Sequence, residues 1–203
     1  MSGIHRMARF AAIGFLAFSV LALGYATYVT IDARAYQRTE ERRFEQARAV
    51  HAAAARLASA AAPPAFVPRV PIDGESIGEI VIERLGIHAV IAQGDSDAIL
   101  ARAVGHLPAT ALPGGIGNVV LAAHRDTFFR PLNDVEVGDT ISVKTYRGDF
   151  GYVVESTEVV KPTDVGVLAP TGGQTLTLIT CFPFYYVGAA PNRFIVVARA
   201  IVS

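Results

Sequence analysis

Three side chains far apart in this 203-residue sequence are of the types from which acyl-transfer chemistry is assembled: His124, Cys181 and Arg193. Cys181 is the only cysteine, so an intrachain disulfide, a CxxC redox pair and a cysteine-rich zinc site are all excluded, and the thiol is either a small buried hydrophobe or a reactive group. It ends the alternating run Thr175 to Thr180 and is followed by Phe182-Pro183. Proline cannot donate to a strand ladder, so the strand is expected to stop there and leave the thiol at its end. Cysteine is among the most buried residue types, and inert packing is the plainer reading; the strand-end position weakens that reading without removing it. His124 likewise ends the run Asn118 to Ala123, where a histidine can give or take a proton near neutral pH. His106 competes for that role, although Gly105 before it and Pro108 after it mark it as a turn residue, and His51 lies on an alanine-rich helix where a solvated imidazole is expected. Arg193 opens the last strand, twelve residues after Cys181. Consecutive strands joined by such a loop are commonly neighbours, which would set the guanidinium beside the thiol. It can donate to an oxyanion but cannot serve as a base. A surface arginine lying over apolar residues is the alternative.

The elements that would position these residues are strands. From about Val70 onward, β-branched runs alternate with glycine, proline and aspartate: Gly78 to Ile82, Ile87 to Ile91, Asn118 to Ala123, Thr140 to Thr145, Gly151 to Val160, Thr175 to Thr180 and Arg193 to Val202. Asp97 to Val104 is the one helical candidate among them. The pattern is all-β, with seven or eight strands in about 135 residues, enough for one closed core and too few for two. Gly114, Gly115 and Gly117 lack the third glycine of a phosphate-binding fingerprint and read as turn residues.

The N-terminal third is different. Phe10 to Ile31 holds 22 residues without a charge, and as a helix it covers about 33 Å against a hydrocarbon core of about 30 Å. His5, Arg6 and Arg9 precede it, which favours an N-terminus inside and export of the chain beyond the apolar stretch. A cleaved signal peptide is the alternative, since Ala33-Arg34-Ala35 has a small-x-small form, but the apolar stretch is longer than a signal core of about 7 to 15 residues. Residues 32–62 lack glycine and proline and read as a solvated helical spacer whose basic residues are interleaved with Glu40, Glu41 and Glu45. Residues 63–72 form a Pro-rich linker and 73–203 the β-domain, with residues 1–9 as a cytoplasmic tail. The segments account for the mean hydropathy of +0.38. Eighteen basic against eighteen acidic side chains remove the electrostatic basis for nucleic-acid binding. No HExxH, histidine-rich or EF-hand spacing is present, so neither a metal nor another cofactor is expected.

Three separated motifs agree with one family. Thr175-Leu176-Thr177-Leu178-Ile179-Thr180-Cys181 resembles the TLxTC signature of sortases, Arg193 stands at their usual distance after the cysteine, and Gly117 to Asp126 is similar to their histidine motif. Pro113 to Asn118 and Gly138-Asp139 match the same family's loops, and the continuation Cys181 to Gly188 is most similar to class D and Gram-negative-type sortases. The resemblance implies an eight-stranded closed β-barrel with short helical turns, preceded by a transmembrane helix, in a bacterial cytoplasmic membrane with the catalytic domain outside. It implies a cysteine transpeptidase that cleaves an LPxTG-like sorting signal of a secreted protein through a thioacyl-enzyme. The new C-terminus then passes to an amine acceptor, either a cell-wall peptide or a protein lysine. Cys181 would be the nucleophile, His124 the acid and base and Arg193 the oxyanion donor; Thr180, Phe182 and Tyr185 are the candidate substrate-binding residues, with Phe184, Tyr186 and Val187 in the same lining, while core packing of that loop is an equal alternative and Thr180 can equally fill a plain strand position. Two readings compete with it. One is a cysteine endopeptidase that gives its acyl group to water, the other a non-catalytic anchored β-barrel that binds a surface partner.

Overall fold

The computed structural model describes residues 2–58, 70–186 and 188–201. The end of the spacer, the prolines at 63, 64 and 68, Val187 and the last two residues lie outside the described residues, as does the side chain of His51. The chain divides into two compact units, Met1–Tyr36 and Gln37–Ser203.

Helix α1 runs over Ser2–Ala58. In its first part the large apolar side chains are uncovered: Phe10, Phe15, Phe18, Leu21 and Leu23 are all more than two-thirds exposed. The stretch is long and apolar enough to cross a membrane. Its hydroxyls are satisfied inside the helix, with Ser19 donating to Phe15 O at 2.9 Å, Thr27 to Leu23 O at 2.8 Å and Thr30 to Ala26 O at 2.8 Å. No polar group of these three side chains therefore needs water.

The second unit is a closed eight-stranded barrel. Its strands are β1 (Ser76–Ile82), β2 (Ile87–Gln93), β3 (Val104–His106), β4 (Gly117–Ala122), β5 (Thr140–Thr145), β6 (Gly148–Val160), β7 (Gln174–Phe182) and β8 (Asn192–Ala200), arranged in the order β1-β2-β3-β4-β7-β8-β6-β5. Alternation puts Ile80, Ile82, Ile91, Leu121, Leu176, Leu178 and Val196 into one core. Two pairs are parallel, β2 with β3 and β4 with β7. Parallel neighbours need a long connection, and helix α2 (Asp97–Leu100) supplies the first while β5 and β6 lie within the second. The expected helix at Asp97 to Val104 is thus shorter than its pattern suggested, because Val104 already belongs to β3. Gly105 makes this possible: a Cβ there would come within 2.4 Å of Gly94 O.

The spacer is not solvated on all sides. Phe44 is only 1% exposed and lies against Tyr146, with ring centroids 4.7 Å apart. Gln37 accepts from Val90 N of β2 at 2.8 Å and donates to Arg102 O, in the turn before β3, at 2.6 Å, and Arg48 pairs with Asp149 at 2.9 Å. The one phenylalanine of the spacer is here a docking point.

Below the barrel's β1–β2 turn, Arg84 forms a forked ion pair with Asp139, its Nη2 donating to Oδ2 at 2.6 Å. Asp139 also accepts from Glu136 N at 2.9 Å, and these bonds hold its carboxyl below the usual carboxylate range. In the sequence Gly138-Asp139 stands only as a loop pattern; its physical use is to fasten the turn before β5 to the turn after β1.

Candidate active site

Strand order brings the three chemical residues together. β7 lies between β4 and β8, so the end of β7 is flanked by the segment leaving β4 and by the residues that open β8. Cys181 is directly opposite Arg193 in the antiparallel β7–β8 pair. On the other side, β4 and β7 run parallel in the register Leu121↔Leu178 and Ala122↔Ile179. Ala123 N still donates to Ile179 O at 3.2 Å, and Thr180 Oγ1 donates to Ala123 O at 2.8 Å. Continued by the same step, the register sets His124 level with Cys181.

His124 lies two residues beyond the end of β4, and its backbone is held by a turn folded onto it. Its carbonyl accepts from Thr127 N and from Phe129 N, both at 3.3 Å. Phe129 is fully buried and anchors that turn in the core. Asp126 is exposed and makes no hydrogen bond to the imidazole among the described residues; what the turn fixes is the backbone of the histidine. Cys181, His124 and Arg193 are each half-buried, open enough for a reactant and sheltered enough to exclude bulk water from part of the site. No hydrogen bond joins the three side chains to one another among the described residues. Such bonds are often long in resting enzymes and tighten on substrate. Arg193 Nη1 donates to Asn192 O at 3.0 Å and Ala190 O at 3.4 Å, which fixes one edge of the guanidinium. Its other donors are unengaged among the described residues.

The remaining expected positions separate by environment. Thr180 is 2% exposed and its hydroxyl is committed to Ala123 O, where it braces β7 to the histidine segment. Phe182 packs with Phe184 and Phe194 in an aromatic trio, with centroids 5.3 to 6.2 Å apart. Tyr185 is 76% exposed, with the Arg130 guanidinium 5.7 Å from its ring centroid. Arg125, which the sequence shows only within the Gly117 to Asp126 segment, donates to the backbone of the chain after Cys181.

His106 is corrected from a turn residue to a buried member of β3. Its Nε2 faces Ala111 O at 2.9 Å and its Nδ1 faces Gln93 Oε1 at 2.9 Å. A carbonyl only accepts, so Nε2 carries the proton, and Nδ1 accepts if the Gln93 amide turns its nitrogen to the ring. Burial pushes the His106 pKa below its ordinary 6.5, partly countered by the Ala111 bond. With both nitrogens occupied it does not compete with His124. Because the folded state resists protonation, its stabilising contribution is full above about pH 6.5 and declines as pH falls below that value toward the folded-state pKa. Urea midpoints measured from pH 7.5 to 5 should therefore fall for the native chain and fall less steeply for His106→Gln. Identical slopes would remove the assignment.

A family model described as the sortase domain matches residues 80–201. The chain belongs to the sortase family. Sortase D of Bacillus subtilis (strain 168) is 32% identical to this sortase over 132 residues, covering 64% of this chain and 67% of that protein. A Sortase D5 transpeptidase from Clostridium perfringens is 33% identical with a TM-score of 0.60, over 66% of this chain and 83% of that one. Sortase A from Corynebacterium diphtheriae is also 33% identical with a TM-score of 0.60, over 64% and 63% of the two chains. Sortases are cysteine transpeptidases, so the general class of reaction and the closed barrel are those of the family. The general kinds of partner are implied as well: a protein carrying a sorting signal and an amine that accepts it.

Proposed function

We propose that this sortase joins an LPxTG-like signal of a secreted protein to an amine through a thioacyl intermediate on Cys181, with His124 and Arg193 completing the site. The observation that supports the proposal is the strand order around the end of β7: Cys181 faces Arg193 across one strand pair, and the register of the other, which ends at Ala122 and Ile179, sets it level with His124 when continued by two residues. The Cys181 thiolate attacks the carbonyl carbon of the signal's threonine, and the carbonyl oxygen becomes an oxyanion that accepts hydrogen bonds from Arg193. The carbon–nitrogen bond then breaks as His124 gives its proton to the leaving amine, and a thioester remains. In the second half His124 takes a proton from the incoming amine, whose nitrogen attacks the thioester. The new amide forms and the thiolate leaves. Strand order suits the two halves equally, since the same imidazole serves both.

Anchoring belongs to the same reading. Residues 10–31 of α1 span the cytoplasmic membrane with the N-terminus inside, residues 32–62 are the spacer, and the barrel works outside. The uncovered apolar surface and the internally bonded hydroxyls of α1 support this placement. The test is direct. The full chain in mild detergent, mixed with an LPxTG-type peptide and then acid-quenched, should carry the acyl half of the peptide on Cys181 by mass spectrometry, and an added amine should discharge it. No adduct and no cleavage across a broad panel of sorting peptides would overturn the mechanism. Discharge to water at the same rate with or without amine would favour an endopeptidase.

A further inference from the structure

The connection between β7 and β8, residues 183–191, begins two residues after the proposed nucleophile and ends two before the proposed oxyanion donor, and its described residues form no helix or strand. Something must hold it. The aromatic trio of Phe182, Phe184 and Phe194 secures its base. Its backbone is gathered by one side chain from elsewhere in the sequence. Arg125 Nη1 donates to Pro183 O at 3.1 Å, and Nη2 donates to Tyr186 O at 2.7 Å and to Gly188 O at 3.0 Å. The same guanidinium is 5.7 Å from the Tyr186 ring centroid. Bonds from a charged donor are about twice as strong as neutral ones, and carbonyls spread over six residues need a planar fork that a lysine ammonium cannot imitate.

Arg125 is also the residue next to His124, whose backbone is fixed by Thr180 through Ala123 and by the buried Phe129 turn. We infer that Arg125 is a positioning residue that ties the β7–β8 connection to the histidine segment, so that the wall beside Cys181 is preformed for an extended peptide. The inference rests on the transpeptidase reading of Cys181. It gives Arg125 a defined and limited role: the attack of the thiol on a small reagent does not need the wall, whereas acylation by a peptide does. Misplacement of a positioning element by about 1 Å can cost about 100-fold in rate.

The experiment compares the full native chain with Arg125→Lys and Arg125→Ala in detergent. Peptide kcat/KM for thioacyl formation should fall about 10-fold for the lysine variant and about 100-fold for the alanine variant, with KM raised in both. Alkylation of Cys181 by iodoacetamide should stay within about twofold of native. Amide exchange should quicken at residues 184–186 and 188–190 and remain slow at Leu176, Leu178, Ile195 and Val196 in the flanking strands. Millimolar methylguanidinium should restore part of the peptide activity to Arg125→Ala and none to Cys181→Ala. Peptide acylation within twofold of native in Arg125→Ala overturns the inference. So does loss of protection throughout β7 and β8 in both variants, which assigns Arg125 to the barrel's stability. If the native chain itself forms no thioacyl adduct, the transpeptidase reading fails separately, and amide exchange alone then decides whether Arg125 holds the loop.

Discussion

Cys181→Ala is expected to lower transpeptidation by about 10⁴-fold or more, with little change in thermal stability. The two halves of this expectation come from different observations. Activity is lost because no other cysteine exists in the chain to replace the nucleophile. Stability is retained because Cys181 is half-buried and lies outside the core cluster, so the substitution opens no sealed cavity. His124→Ala should show a similar pattern with a loss of about 10²- to 10⁴-fold, since proton transfer is only part of the barrier. The double variant Cys181→Ala/His124→Ala should be no slower than Cys181→Ala alone, because groups that act on one reaction step are not additive. Chromatographic separation of cleaved peptide and amine adduct, with a parallel melting curve, checks all three variants. Substantial adduct formation by Cys181→Ala would remove the thiol from the reaction.

The sites at which sequence and structure agree have a common cause, and so do those at which they part. Seven strands could be read because alternation over five or more residues leaves a periodic trace, as in Thr175 to Thr180. β3 could not, since three residues carry no period; what makes Val104–His106 a strand is its pairing with β2 and the buried Gln93–His106 contact, both supplied by residues distant in sequence. The place of Cys181 relative to Arg193 was legible from one short connection between neighbours. That of His124 needed the parallel pairing of β4 with β7, in which partners are 57 positions apart and no turn signal announces the register. Phe44 left a faint trace, a single phenylalanine in an alanine-, arginine- and glutamate-rich helix, and the structure buries it. Arg125 left none. Its partners are backbone carbonyls, which every residue has, so no pattern of side chains could point to it.

Arg193 carries the second large expectation: Arg193→Ala should reduce kcat by about 10²- to 10³-fold, or about 3 to 4 kcal/mol of barrier, with KM nearly unchanged. An oxyanion exists only after the thiolate has attacked, so a donor reserved for it contributes to the transition state and not to peptide binding. Geometry favours that division. The guanidinium is anchored at Nη1 by Asn192 O and Ala190 O, which limits its motion, while strand pairing keeps its stem opposite Cys181. Preorganisation of this kind is what makes a donor effective, because it need not reorient as charge develops. Arg193→Lys separates charge from geometry. Lysine keeps the positive charge, yet one ammonium on a flexible stem cannot hold two backbone carbonyls and also present further donors in a fixed plane. The lysine variant should therefore recover only a minor part of the loss, remaining about 10²-fold below native in kcat. Steady-state kinetics with single-turnover acylation make the distinction. A loss confined to KM would mean that Arg193 holds the peptide's ground state instead, and the oxyanion would then need a different donor.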